Sequence, residues 1–519
     1  MTITYKLAST AEEFEQIHRL NYQTFVQEIP QHSPNKEEKL IDRFHAQNTY
    51  LIACAAGKVV GMAAVRDQRP FSLDEKLEDL GQYLPAHRAV CEIRLLAVEK
   101  EYRQSKVFFG LAQFIANYCL QQGYDLVIMS GTVRQLKLYR HMGFVPFARL
   151  VGSEDAMYQP MYLTRETFLA SLAGRLRLRQ LSFLPGPVPI SPEVAASLQG
   201  EAISHRSEAF QQTMAEVKEM LRARTGSAHV QILLGTGTLA NDCIAAQLKL
   251  KGEKGLILAN GEFGERLIDH AARNGLQYTV YSQPWGKPFE REVIAAHLQA
   301  GSAKWLWAVY GETSTGMLND LQMLKELAAE HKALLCLDAI SVLGVLPLDL
   351  KDVYLASGVS GKGLGSYTGL AFVFHQEAIR SSAALPRYLD LGLYQDSGSI
   401  PFSHSSNLLE ALHTALKQNS RPGYQALKKN LSFLYREIES LGLPILVPEE
   451  LSLPYIITIP FPDGQSAAEL GDRLAWQGFK LHYESPYLRK RNWLQISILG
   501  RQAGEIQRML KALQEILKD

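Results

Sequence analysis

Between residues 231 and 374, short apolar runs alternate with stretches of helical spacing, and no other feature constrains the fold of this chain as tightly. The runs cover residues 231–234, 255–258, 306–309, 334–337, 353–356 and 369–374. That rhythm predicts a mostly parallel sheet clad by helices. Beyond residue 405 the pattern turns helical, and a smaller strand-and-helix unit is expected from residue 445 onward. A chain of 519 residues exceeds what one core covers, so more than one domain is expected.

The first 165 residues read as a separate α+β unit. A helical pattern follows Ser9 and Thr10, with apolar positions from Phe14 to Val26. Strands are expected at 49–55, 59–66, 89–98 and 126–130, and helices at 105–122 and 133–142, the first closed by Gly123. A basic helical connector follows, and then residues 183–192 hold four prolines, which exclude a helix interior or a central strand. The expected division is 1–165, a linker at 166–181, and 182–519.

Hydrophobic residues make up 46% and charged residues 21%, with a formal net charge of +1, so nothing marks a nucleic-acid or anionic-membrane partner. Cys54, Cys91, Cys119, Cys243 and Cys336 lack metal or redox spacing and read as reduced thiols, so no metal site is expected. The N-terminal residues lack a signal-peptide pattern, and the apolar stretch 50–65 is broken by Gly57, Lys58 and Gly61. A cytoplasmic protein without a membrane span is expected.

Three elements carry chemistry in the larger part. Leu233 to Asn241 runs from an apolar strand through Gly235, Thr236, Gly237 and Thr238 into a helix, and exposed amides at a helix start suit a phosphate. Asp338 ends an apolar strand, where a carboxylate is costly without a partner; a protonated pyridine nitrogen or a helix cap would both serve. Lys362, set among Gly361, Gly363 and Ser360, suits Schiff-base chemistry because desolvation frees its amine, whereas a lone loop lysine is ordinarily just solvated.

In this order, and with Leu184 to Ser191, His205–Arg206, Asn260 to Arg266 and Gly311 to Gly316, the elements resemble the class-V aminotransferases, particularly alanine–glyoxylate and 2-aminoethylphosphonate aminotransferases. The resemblance spans about residues 182–500 and implies a fold-type-I pyridoxal phosphate (PLP) enzyme with a large domain and a small C-terminal α/β domain. It implies that Thr236, Gly237 and Thr238 contact the cofactor phosphate, that Phe263 stacks on the ring, and that Thr313 or Ser314 flanks its hydroxyl side. Asp338 would pair with the ring nitrogen and Lys362 would carry the cofactor and shuttle a proton. A homodimer is implied, with Ser403 reaching the partner subunit's phosphate. Two positions depart from the family: Tyr310 stands where a histidine is usual, and Gln495 where an arginine grips the substrate carboxylate. Either Arg491 or Arg501 substitutes, or the substrate is an unusual amine, amino-aldehyde or acyl-bearing compound, with Gln495 at the substrate. The loops after Lys362 hold no cysteine, which argues against a desulfurase.

In the N-terminal part, the strand with Glu92 and Arg94 leads to Arg103, and Tyr139 precedes Gly143–Phe144. This resembles the GNAT acyltransferases. With a degenerate 103–110 loop it is more similar to acyl-homoserine-lactone and N-acyl-amino-acid synthases, which use acyl carrier protein or acyl-CoA thioesters. Glu92 would be the general base, directly or through water, and Tyr139 the acid for the leaving thiolate. Arg103 and Lys106 would meet the phosphopantetheine. A structural Glu92–Arg94 pair and a surface Tyr139 are the bland alternatives. The whole reads as a bifunctional enzyme that takes a small amino donor and a carbonyl acceptor, makes an amine and acylates it. The alternative is a PLP lyase or decarboxylase with a non-catalytic acyl- or carrier-binding domain.

Overall fold

A computed structural model describes residues 3–103, 107–153, 156–171, 180–418 and 423–518. Two compact units result, one of residues 1–181 with 472–479 and 515–519, the other of residues 182–471 with 480–514.

In the first unit eight strands form one sheet: β1 (Ile3–Leu7), β2 (Thr49–Ala55), β3 (Lys58–Arg66), β4 (Val90–Val98), β5 (Leu126–Thr132), β6 (Val145–Pro146), β7 (Val151–Ser153) and β8 (Ala156–Thr164). Their order is β1-β2-β3-β4-β5-β8-β6, with β7 on β8, and only β4 and β5 run parallel. Thr10 caps the helix Ala11–Tyr22 by accepting from Glu13 N–H, while the Glu13 carboxylate returns to the Thr10 N–H, a reciprocal capping box. Leu95 lies at φ +54°, a left-handed residue that breaks the pleat of β4 just beyond Glu92 and Arg94. The helix Val107–Gln121 covers one face through Val107, Leu111, Phe114 and Ile115. Ser105 and Lys106, placed in sequence at the start of that helix, lie outside the described residues.

After β9 (Leu181–Ser182), the second unit builds its main sheet from β10 (His229–Gly235), β11 (Gly255–Ala259), β12 (Tyr278–Ser282), β13 (Trp305–Val309), β16 (Leu334–Asp338), β17 (Leu355–Val359) and β18 (Gly369–His375); a short hairpin of β14 (Gly311–Glu312) and β15 (Met317–Leu318) intervenes. The order is β10-β18-β17-β16-β13-β11-β12, antiparallel only where β18 meets its neighbours. Trp305 and Trp307 on β13 are fully buried among Cys243, Ile244, Leu267 and Leu355. The predicted run 353–356 forms its strand two residues later, because Val353 turns back onto Leu350 through its N–H. β12 and β1 were not expected from the sequence. Of the connector, Arg165–Ala170 is helical and residues 172–179 lie outside the described residues. A separate antiparallel pair joins Ile456–Pro460 to Trp493–Ser497. Among the described residues no helix is long and apolar enough to cross a membrane, and no three His, Cys, Asp or Glu side chains could together hold a metal ion.

Candidate active sites in the two units

In the second unit, β16 ends on Asp338 and β17 leads into the loop bearing Lys362. Asp338 is 4% exposed, and the donors on its carboxylate are neutral: the Asn241 amide at 2.8 Å and the Ile340 N–H at 3.0 Å. Burial raises its pKa against the pull of those bonds and of the Lys362 charge. Two buried atoms, Asn241 Oδ1 and the Oγ of Ser357, the residue paired with Asp338 across the sheet, have no hydrogen-bond partner among the described residues. Leaving such groups unmatched costs about 1–3 kcal/mol each, so the arrangement favours an occupant.

Half-buried Lys362 places its ammonium 5.4 Å from the Phe263 ring centroid. Burial lowers its pKa, and the charges of Asp338 and Glu312 oppose that shift. A Cβ on Gly186 would lie 3.9 Å from Lys362 Cγ, so the proline-rich segment passes against the lysine stem. Thr236 caps the helix Gly237–Lys251, and the Leu239 and Ala240 N–H groups close on its carbonyl at 3.0 and 3.4 Å. Gly237 and Thr238 therefore hold the orphan amides of the first turn, at the positive end of the helix. A Cβ on Gly237 would come 2.3 Å from Ile340 Cδ1, so the glycine lets that side chain pack against the helix start.

Phe263 is positioned by a cap supplied from elsewhere in the chain. The helix Glu262–Arg273 gives its first amides to the hairpin: Glu262 N–H to Ser314 Oγ at 3.0 Å, and Phe263 and Gly264 N–H to the Glu312 carboxylate at 3.4 and 3.0 Å. Ser314 also donates its hydroxyl to Glu312 at 2.5 Å. Glu312 is fully buried, and desolvation pushes its pKa up to about 7 despite those bonds.

These contacts bear on two residues singled out in the sequence. Ser314 donates its hydroxyl to Glu312 and accepts from Glu262 N–H, so its proton is committed, and Thr313 beside it is also buried. Gln495 is fully buried and donates its amide to the carbonyls of Thr313 and Ser314 and to Thr458 Oγ1 at 2.8, 3.0 and 2.8 Å, while its oxygen meets His482 Nδ1 at 2.9 Å. It braces the Thr313–Ser314 turn. Arg491 lies 3.4 Å over the Trp285 ring. Ser403 is exposed and lines a cavity of about 1270 Å³ with His205 and Arg206, a wall that does not include Lys362. Asn241 and Glu312 had no assigned role in the sequence reading. An Asn on an otherwise apolar helix face and an acid three residues past an apolar strand were the available signals.

In the first unit, Glu92 is fully buried. It accepts from Ser72 N–H and Oγ at 2.7 and 2.6 Å and from Leu73 N–H at 3.1 Å, with Arg94 Nε at 3.5 Å. Direct contact with a substrate amine is closed, which corrects the simplest form of the general-base expectation. Arg94 makes its main bond to Asp42, in a two-pronged pair at 2.9 and 3.0 Å. Tyr139 is buried rather than on the surface, burial raises its pKa, and it lines an apolar cavity of about 580 Å³ with Leu96, Phe108, Met129 and Phe168. Arg103 is engaged with the Val98 carbonyl and Glu28, and Lys106 lies outside the described residues. Cys91 and Cys119, remote in sequence, approach to 3.9 Å between sulfurs.

The second-unit residues fit pyridoxal phosphate. A buried carboxylate with only neutral donors suits a cationic ring nitrogen, open helix-start amides suit a phosphate, and a desolvated amine stands beside an aromatic face.

The family model "Aminotransferase class-V" matches residues 194–386, and "N-acyl amino acid synthase FeeM" matches residues 16–165. The chain is 30% identical over 297 residues to the "Soluble hydrogenase 42 kDa subunit" of Anabaena cylindrica, covering 54% of this chain and 78% of that protein. It is 27% identical over 317 residues to a 2-aminoethylphosphonate–pyruvate transaminase of Pseudomonas putida, covering 57% and 86%. The crystal structure of an alanine–glyoxylate aminotransferase from Nostoc superposes with a TM-score of 0.59 at 29% identity, covering 65% of this chain and 95% of that one.

Proposed function

We propose, for a chain that belongs to the class-V aminotransferases and carries an N-acyl amino acid synthase domain ahead of that part, a bifunctional enzyme that makes an amine by transamination and then acylates it. The observation that carries the first half is Asp338, buried with neutral donors and within electrostatic reach of Lys362. When bound, PLP supplies an electron sink for the substrate carbon bearing the amine. Asp338 would keep its ring nitrogen protonated, with Asn241 fixing the carboxylate. Thr236, Gly237 and Thr238 would hold the phosphate and Thr313 the hydroxyl side, while Phe263 covers a ring face. Lys362 would anchor the group and, once displaced, move a proton at the substrate Cα. A homodimer, with Ser403 directed to the partner subunit's phosphate, and a cytoplasmic location belong to the same reading.

For the second half, the support is the apolar cavity walled by Tyr139, which suits the acyl chain of an acyl-CoA or acyl-carrier-protein thioester. Tyr139 would protonate the leaving thiolate. Glu92 would act through the Ser72 hydroxyl that donates to it, which keeps the carboxylate buried while a proton leaves the amine. This half is GNAT-like in the reading, and domains at 1–165 and 182–519 with a linker at 166–181 go with it.

The test is borohydride reduction of PLP-loaded protein followed by peptide mass spectrometry, with the pyridoxyl adduct expected on Lys362. Amino donors that discharge the cofactor are then screened, and their amine products offered with acyl-CoA while thiol release is followed. An adduct elsewhere overturns the first half. Amine products that no acyl thioester acylates overturn the coupling.

A further inference from the structure

In the second unit a cavity of about 640 Å³ opens where Ser191, the turn Gly363–Gly365 and Arg501 come together, with Arg224 and Gln418 contributing side chains. No Asp or Glu lines it among the described residues. Arg501 is 7% exposed, and its ion partner Glu505 stands at a long 3.4 Å. Its buried Nε has no hydrogen-bond partner among the described residues, and burial disfavours its charged form. A guanidinium has five donors in a fixed fork, and one buried with a single weak carboxylate contact is poorly compensated. Arg224 adds a second guanidinium, steadied by one bond to the Leu416 carbonyl at 2.7 Å.

The wall on the other side is the backbone that follows Lys362. A Cβ on Gly344 would lie 2.8 Å from Gly363 C, and one on Gly363 would lie 2.2 Å from the Leu343 carbonyl. The two glycine turns are therefore pressed backbone to backbone, and the cavity keeps its shape without side chains to move.

The geometry points to a binding site for a small oxyanion, a carboxylate or a phosphate-type group, held between Arg501 and Arg224 beside the Lys362 loop. The site stands on the two guanidiniums, with Glu505 and Glu193 bonded to lining side chains without themselves lining the cavity, independently of the transfer chemistry. An oxyanion placed there gives Arg501 a charge-assisted partner in a low-dielectric setting, where such bonds are strongest.

Isothermal titration of the PLP-loaded full-length protein with inorganic phosphate, and separately with malonate, in a buffer free of both, tests the assignment. One anion per chain is expected, and the tighter of the two probes identifies the ligand as phosphate-type or carboxylate. Arg501→Gln should weaken binding by about tenfold or more, and exposed Arg224→Gln by about threefold. Gln502→Glu, at an exposed position of the lining, should abolish binding by repulsion even where Arg501→Gln does not fold. Anion binding should be the same whichever lysine the borohydride adduct marks, so loss of the aminotransferase reading leaves this one standing. Equal anion affinity in the wild type and Gln502→Glu, or no binding to the wild type, overturns it.

Discussion

Each unit buries a carboxylate on a strand of its sheet, and the two carboxylates are treated in opposite ways. Glu92 is saturated: three donors from Ser72 and Leu73 meet it, and the Arg94 charge lies beside it. Asp338 is left with two neutral donors, and orphaned Asn241 Oδ1 and Ser357 Oγ accompany it. Burial alone therefore does not mark a reactive acid. What marks it is an account of bonds that closes only when something else is added. The saturated carboxylate holds a turn and can act only through the Ser72 hydroxyl on it; the unsaturated one is open to a cation.

The contrast can be broken by substitution. Lys362→Ala should abolish the visible absorbance of added PLP and lower transamination by about a thousandfold or more, read by spectrophotometry and donor turnover. Asp338→Asn, which keeps the shape and removes the charge, should cost about a hundredfold in turnover with little change in melting temperature. Glu92→Gln should slow acylation and, unlike Asp338→Asn, also cost about 2–4 kcal/mol by denaturant unfolding, since an acceptor of three buried bonds is replaced. Should Glu92→Gln leave stability intact while stopping acylation, the contrast fails.

Two smaller effects sharpen it. Glu312 has a folded pKa of about 7 against an ordinary carboxyl value of 4.5, so the folded state binds more protons than the unfolded state between those values. Its contribution is favourable below pH 4.5 and is lost as pH rises through 7, a fall of up to about 3 kcal/mol. Glu312→Gln should flatten that part of the stability–pH curve. Gln495→Arg should give no activity gain on common amino acids and lower the melting temperature by a few degrees, roughly 1–2 kcal/mol, because a charge enters a fully bonded buried site.

The sheet of the second unit was legible because its strands are unbroken apolar runs, and Asp338 and Lys362 stood out as charges at their ends. Thr10 and Gly123 likewise announced helix boundaries through their own chemistry. The bonding partners of Ser314 and Gln495 were not legible, for a physical reason. A hydroxyl or amide announces that it will bond, but the partner is chosen by a fold that brings residues 262, 312 and 495 together. β12 escaped notice because its Tyr278–Ser282 run mixes polar and aromatic residues and is only partly buried. The 3.9 Å approach of Cys91 and Cys119 depends on how the Val107–Gln121 helix lies on β4, which no local pattern encodes.

The borrowed cap on the Glu262–Arg273 helix separates two jobs that usually interfere. Because Glu312 and Ser314 grip that helix through its main-chain amides, the side chain at 263 does not have to cap its own helix. A designer can exchange that ring for a larger, smaller or more polar one and tune how the bound vitamer is shielded, while the scaffold beneath stays put.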